Sequence, residues 1–381
     1  MMEDQIIIKE VVNSTMLAEF IKLPWKIYKN DPNWVPPLIS EIKKKLDNRI
    51  HPFFKHSNVS LFLAYLGGGV VGRVASIIDH NHNRFHNEKT GFFGMFECIN
   101  DYDCAYTLLE AVRKRLKINS MNLMRGPVNL SMNDECGLLI DGFKAPPVFM
   151  MTYNPEYYLD FMDRYGMIKA KDLYAYLNEG IVKASERFSK IAERTRQQHN
   201  IKIRPLNMKR FKEDVDKIKS IYNNAWEKNW GFVPMTDSEM DSLAADLKKI
   251  AIPELVLFAE INNRPLGISV TVSNYNEALI HMNGRLNPVG IAKLLYYRNK
   301  IKGLRSLIMG VLNEYRSTGV PLLLFLETAN AANKLGFEWC ETSWNLEDNH
   351  LINKFDEKIG GRLYKRYRIY EKQILIKRIN L

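Results

Sequence analysis

Apolar positions along the chain either alternate or recur at helical spacing, and the order in which these two patterns follow one another occurs twice. The run Gln5–Val12 reads as a strand, and after Ser14, a plausible helix cap, helical spacing extends to Tyr28. The segment NDPNWVPP (Asn30–Pro37) is Pro-rich and reads as a loop. VSLFLAYL and VVGRVASIID, joined at Gly67-Gly68-Gly69, predict a hairpin. A strand GFFGMFEC comes next, then a helix DCAYTLLEAVRKRLKI with Leu108, Leu109, Val112 and Leu116 on one face. NLMRGPV, a short helix around PEYYLDFMDRYG and the strand DLYAYL close the first half.

The second half repeats this order. IKIRPL is a strand; KRFKEDVDKIKSIYNNAWEKN and the Thr/Asp-capped TDSEMDSLAADLKKIA are helices. LVLFAEI and PLGISVTVS form a hairpin about Asn262-Asn263. The strand SLIMGVL, the helix VPLLLFLETANAANKLG, the strand EWCETSWNLE, the helix HLINKFDEKIGG and the strand RLYKRYRIYEK complete it. Both halves read β–α–(α)–β–β–β–α–β–α–β, a duplication of pattern rather than of residues. The expected class is α/β (α+β): two tandem domains, 1–180 and 201–381, each a mixed, mainly antiparallel twisted sheet flanked by helices. Between them, 181–200 is a polar helix whose thin apolar face is Phe188 and Ile191. Its bases Lys183, Arg187, Lys190, Arg194 and Arg196 leave two readings open, a solvated connector or a membrane-surface helix.

Composition narrows the class. The chain has 381 residues, 46% of them hydrophobic, enough for a sizeable core. No run approaches the roughly 18 apolar residues of a spanning helix. MMEDQIIIKEVV carries acids where a signal peptide carries bases, so a cytoplasmic protein is expected. Cys98, Cys104, Cys136 and Cys340 lack disulfide or CxxC spacing and read as reduced, mostly buried thiols. The cluster His80, His82 and His86 lies in the polar DHNHNRFHNE and reads as a solvated loop, with no metal site expected. A net charge of +11 calls for an anionic partner, but the bases are too dispersed to choose among coenzyme A, nucleic acid and a membrane surface.

Chemistry concentrates in SLIMGVLNEYRSTGVPLLLFLE, a strand, a glycine-bearing turn and a helix start. A helix N-terminus offers unpartnered amides and partial positive charge, and glycine lets backbone approach a pyrophosphate closely. The segment resembles the GNAT acyltransferase motif Arg-x-x-Gly-x-(Gly or Ala), matched by Arg316, Gly319 and, in the third place, Pro321. The resemblance implies a coenzyme A site built on Arg316, Ser317, Thr318, Gly319, Val320 and Pro321. It also implies a splayed strand, Gly310, Val311 and Leu312, with an amide for the acyl carbonyl. Pro321 departs from the family pattern by removing one donor, while suiting the first turn of a helix. ETSWNLEDN and NKFDEKIGG resemble the next strand and helix of that fold, with Asn349 and Gly360 matching. Asp356 stands where many members carry the tyrosine acid; Tyr364 or Tyr367 is the expected substitute. The first half has acids and no glycine at the corresponding INDYDCAYTL, and is expected to be a non-catalytic copy.

Over its whole length the chain resembles a bacterial family of tandem GNAT-like proteins. The resemblance rests on LPWKIYKNDPNWVPPL, GFFGMFEC, RGPVNLSMNDECGLLIDGF, MMTYNP, AWEKNWGFVPMT, SWNLEDN and GGRLYKRYRIYEK. Some relatives are implicated in bacterial ceramide synthesis. The activity so implied is transfer from acyl-CoA to an amine, with a long-chain or lipid-like substrate, no metal and no specific nucleic acid. The carboxylates available as base are Glu347, at the end of its strand, and Glu341. Asn133, Asp134 and Glu135 either orient the amine or merely cap a turn. The insertion 284–303, with Ile291, Leu294, Leu295 and Tyr297 at helical spacing, is either a core-packing helix or a lid over an acyl chain. Two other classes stay open: a degenerate acyl-CoA or lipid-binding protein, and an aminoacyl-tRNA-dependent transferase.

Overall fold

A computed structural model describes residues 5–227 and 229–374, without the side chains of 181–187, 198 and 199. The described backbone gathers into two compact units: the first includes 5–173, 279–294 and 365–374, the second 174–278 and 295–364.

The first unit opens with β1 (Ile7–Glu10), α1 (Ser14–Ile27) and α2 (Ile39–Lys45). The hairpin β2 (Ser57–Leu66) and β3 (Gly69–Asp79) leads to α3 (His80–His86), β4 (Thr90–Cys98) and α4 (Tyr102–Ile118). Then come β5 (Leu123–Gly126), β6 (Leu138–Asp141), α5 (Tyr158–Tyr165) and β7 (Ile168–Asn178). Strands β1 to β4 pair antiparallel in sequence order, whereas β4 and β5 run parallel. The apolar face of α4, with Leu108, Leu109, Val112 and Leu116, closes a core that includes Val74, Phe93, Phe96, Tyr158 and Phe161. The Pro-rich loop is held down by aromatic contacts: Trp34 stacks on Tyr28 at 5.0 Å, and the Tyr28 hydroxyl donates to half-buried Glu97 at 2.8 Å.

One expectation fails in this unit. The histidine-rich stretch is helix α3, and His82 is 1% exposed rather than solvated. The Asp79 side chain caps that helix by accepting from the Asn81 and His82 amides. His82 packs edge-on against Phe92, and burial pushes its pKa down to about 4.

The second unit continues with α6 (Ile181–His199), β8 (Lys202–Pro205), α7 (Phe211–Trp226) and α8 (Asp237–Lys248). The hairpin β9 (Val256–Ile261) and β10 (Arg264–Ser273) turns on Asn262 and Asn263, at φ +50° and +64°, values asparagine tolerates. Two helices, α9 (Asn276–Leu279) and α10 (Pro288–Arg298), precede β11 (Gly303–Val311), and the α10 residues up to Leu294 are grouped with the first unit. Helix α11 (Val320–Lys334), β12 (Trp339–Leu346), α12 (His350–Lys358) and β13 (Arg362–Gln373) complete the chain. Strands β8 to β11 pair antiparallel in order and β11 pairs parallel with β12, the arrangement seen for β1 to β5. The duplication read from hydropathy is thus a duplication of pairing. From Lys365 onward β13 belongs to the first unit, where it lies antiparallel to β5 and β6.

The sheet of the second unit buries alternate residues on opposite faces. Leu257, Ala259 and Val311 meet α11 and α6, while Val256, Phe258 and Ile268 join a cluster that includes Phe211, Ile218 and Ile221 of α7. Helix α6 docks through Phe188, Ala192 and an ion pair from Arg196 to Glu327; Lys183 and Arg187 lie outside the described side chains.

In the first unit, pairing of β4 with β5 extends only over Thr90–Phe92. Past that point the chain fills its own gap. The Val128 amide donates to Phe93 at 2.8 Å, the Met95 amide to the Asn129 side chain, and a Cβ at Gly94 would lie 1.7 Å from the Val128 carbonyl oxygen. Backbone cannot yield there as a side chain would. Gly94→Ala is therefore expected to destabilise the protein by about 3 kcal/mol or more, read as a lowered denaturant midpoint.

Candidate active site

The site is assembled where β11 and β12 part. Their parallel pairing runs from Gly303–Trp339 to Ser306–Thr342 and then stops, while β11 keeps its pairing with β10 to Val311. The Leu312 amide donates to Leu266 at 2.9 Å, so it points toward β10. Because amides alternate along an antiparallel pair, those of Val311 and Met309 face the opening instead. Of Gly310, Val311 and Leu312, expected to offer an acyl-carbonyl donor, Val311 has the required direction, and Met309 was not foreseen.

At the end of β11 a turn of 3-10 helix, Asn313–Tyr315, leads to Gly319 and α11. Gly319 is the helix N-cap at φ +85°, and a Cβ there would also meet Thr195 Oγ1 at 2.5 Å. No side chain caps this helix. Val320 and Pro321 occupy its first two positions, so the orphan amides of the first turn include Val320 and Leu322 but none at Pro321. Arg316 does not reach outward: its Nε donates to the Val311 carbonyl at 3.1 Å and its guanidinium to Ala225 at 2.6 Å. It ties the loop to the end of α7. Thr318 folds back on the Tyr315 carbonyl, and Ser317 is exposed on the loop.

On the sheet face away from α11 lies a buried polar chain. Glu341 is 0% exposed, and Arg305 is its register partner across β11 and β12. Arg305 Nε donates to Ser343 Oγ at 3.2 Å; the Ser343 and Tyr364 hydroxyls both donate to the Glu341 carboxylate. Tyr364 is only half-buried, so this chain reaches from solvent to a carboxylate that solvent does not touch. Trp226 lies over Gly310, where a Cβ would sit 2.3 Å from its ring, and stacks on Tyr222 at 4.9 Å. An aromatic wall thus borders the free part of β11.

The face shared with α11 carries Asp356. Burial raises its pKa to about 7 against the 2.6 Å bond from the Asn345 side chain, which favours the charged form. Asn349 is the N-cap of α12, accepting from the Ile352 amide. Glu347 lies on the turn after β12, outside the polar chain, and its carbonyl accepts from Asn353 at 3.3 Å.

The remaining candidates belong to the first unit. Asp134 and Glu135 bind Lys45 at 3.4 and 3.0 Å, and the Asn133 amide donates to Ser131 Oγ in a tight turn. Desolvation raises the Asp134 pKa while the Lys45 and neighbouring His51 charges lower it. Tyr367 is buried on β13 opposite Leu139. The N-terminus of α4, counterpart of α11, is capped by the Asp101 side chain, which accepts from the Cys104 amide. Glu341 and Tyr364, both candidates from the sequence, are thus brought together, with Ser343 on the Glu341 face as alternation implies; Arg305 and Trp226 were not foreseen. A charged residue inside the apolar strand GLRSLIMGV was the available signal for Arg305.

Among the described residues no helix is long and apolar enough to cross a membrane. No family model matches the chain. Among solved structures, a tandem GNAT protein from the clavulanic acid biosynthesis pathway superposes with a TM-score of 0.58 at 11% identity, covering 98% of this chain and 100% of that one. A GCN5-related N-acetyltransferase from Sphaerobacter thermophilus gives 0.52 at 12% identity, covering 97% and 96%. These likenesses establish the fold. The bacterial ceramide synthase of Caulobacter vibrioides is 36% identical over 371 residues, 94% of this chain and 95% of that protein. Protein YghO of Escherichia coli is 34% identical over 382 residues, covering 98% and 97%. Full-length identity at this level, on the tandem fold just described, makes the chain a member of the bacterial tandem GNAT family that contains these two proteins.

Proposed function

We propose that this chain moves an acyl group from acyl-coenzyme A to the amine of a lipid-like acceptor, with the second unit as the catalytic one. The observation that carries the proposal is the buried Glu341–Tyr364 pair beside the parted strands β11 and β12, with an uncapped helix N-terminus at the end of β11. Anionic pyrophosphate suits the Val320 and Leu322 amides at that N-terminus, and a thioester carbonyl suits the Val311 or Met309 amide. The first unit lacks both features, since Asp101 occupies its helix N-terminus and residues 127–129 fill its gap. We therefore take it as non-catalytic. The lipid-like acceptor rests on the name of the Caulobacter relative.

In the reaction the amine nitrogen forms a bond to the thioester carbon as the carbon–sulfur bond breaks. The ammonium proton passes through the Tyr364 hydroxyl to Glu341, whose carboxylate Ser343 orients. Asp356, protonated in part near neutral pH, lies on the other face and is suited to returning a proton to the thiolate. Pro321 favours a second reading, an acyl-CoA binder without turnover, because it removes a phosphate donor.

Thiol release from palmitoyl-CoA, with and without a long-chain amine, separates the two. Amine-dependent release is expected, and Glu341→Gln and Tyr364→Phe should each lower kcat about a hundredfold. Glu347→Gln should change it little; the reverse pattern would move the base to Glu347. Coenzyme A binding, titrated calorimetrically, should survive both substitutions at the polar chain and be lost in Gly319→Asp, which places an anion at the helix N-terminus.

Asp356 supplies a pH prediction. Its folded pKa lies above the unfolded value, so the native state holds the extra proton and loses stability as pH rises from about 4 to about 7. Asp356→Asn should therefore match the wild type near pH 4 and exceed it above pH 7, by roughly 4 kcal/mol at most. Thermal melts across that range would show the divergence; parallel curves would remove the buried-acid assignment.

A further inference from the structure

The apolar residues of α10 are turned outward. At about 100° per residue, Gly290, Leu294 and Tyr297 fall on one side, and only this side is buried or half-buried. Val289, Ile291, Ala292, Leu295 and Tyr296 fill the opposite arc. Val289 is 64% exposed, Ile291 46%, Leu295 52% and Tyr296 59%; Leu286, just before the helix, is 45% exposed. The insertion is therefore not the core-packing helix its periodicity allowed, because Ile291 and Leu295 face solvent. Exposed apolar residues gathered on one face, rather than scattered singly, mark an interaction surface.

Bases frame that face. Lys293 and Arg298, both exposed, fall at its two borders. The Lys300 ammonium lies 4.0 Å from the Tyr296 ring centroid and donates to the Tyr296 hydroxyl at 2.6 Å. Arg285 precedes the helix and Lys302 follows it, the latter paired with Glu338 at 2.9 Å. From Ala278 to Asn313 the chain has no Asp or Glu. Apolar side chains flanked by bases on an acid-free segment match an interface where acyl tails lie beneath anionic headgroups. A second copy of the chain fits less well, because pairing this face with itself opposes like charges.

We propose that the outward face of α10 docks on an anionic lipid bilayer surface, with Val289, Ile291, Leu295 and Tyr296 entering the headgroup–acyl boundary and Lys293, Arg298 and Lys300 meeting lipid phosphates. The proposal needs no chemistry at Glu341 and stands apart from the acyl-transfer reading.

The test is flotation of the full chain with vesicles of phosphatidylcholine alone and of phosphatidylcholine mixed with phosphatidylglycerol. Wild type should float with the mixed vesicles, less with neutral ones, and less again at high salt. Ile291→Ser/Leu295→Ser should lower binding to mixed vesicles about tenfold, and Lys293→Ser/Arg298→Ser should abolish the preference for them. Because these side chains are exposed, the melting temperature of each variant should match wild type, which guards against loss by unfolding. Wild type that ignores mixed vesicles, or double variants that bind as wild type does, would overturn the proposal. So would a lipid-free dimer in sedimentation velocity that Ile291→Ser/Leu295→Ser dissolves, since a second copy would then own the face.

Discussion

Two parallel strands cannot both part and stay hydrogen-bonded, and the second unit takes the first option after Ser306 and Thr342. Most of the candidate site follows from this geometry. Parting exposes the edge amides of β11, gives α11 a start beside an open backbone edge, and leaves Glu341 and Ser343 of β12 on a face that Arg305 and Tyr364 can reach. The first unit parts its own strands after Phe92 and Arg125 but closes the wedge with the backbone of Val128. Glycine serves both outcomes. Gly94 admits the intruding carbonyl, and Gly310 admits the Trp226 ring. One topology thus yields a filled joint and an open one, through what lies against the fourth strand of each repeat.

The buried carboxylates show how surroundings, rather than residue type, assign behaviour. Asp214 and Glu260 lose hydration but face Arg204 at 2.6 and 2.9 Å, and these bonds hold both below the usual carboxylate range. They brace β8, α7 and β9. Asp356 has a neutral amide as its hydrogen-bond donor, so desolvation prevails and the proton stays on longer. Glu341 accepts from two hydroxyls, one of which is held by Arg305. A carboxylate bonded to hydroxyls has neighbours that can relay a proton, which an arginine cannot do.

Much of the fold was legible because period changes are physical. Apolar runs joined at turn residues marked β2, β3, β9 and β10, helical spacing marked α4, and both repeats emerged without residue identity. Some short elements were not legible. The strand β6 has four residues and α2 seven, too few for a period, and α3 is polar enough to read as loop. The site was half legible. Spacing located Gly319 and the strand that carries Glu341, but alternation alone could not show that Glu341 is bonded to Ser343 and Tyr364 while Glu347 lies on the turn beyond, because Tyr364 is distant in sequence. Nor could it tell that Arg316 would turn back onto backbone carbonyls, since an arginine beside a glycine turn looks the same whichever way it points.

The path of β13 has a consequence for how the chain is made. In the first unit the β13 segment 366–373 pairs with β5 and β6, which leave the ribosome more than two hundred residues earlier. Until that segment emerges, β5 has its β4 side satisfied and its other edge bare. An unsatisfied edge invites foreign strands. Vectorial synthesis therefore imposes an order, in which the stretch 174–278 can begin to fold while the earlier sheet still waits for its last strand. A nascent chain stalled before Lys365 would carry a nearly complete second unit and a first unit open along β5, making it a substrate for chaperones rather than a smaller working protein.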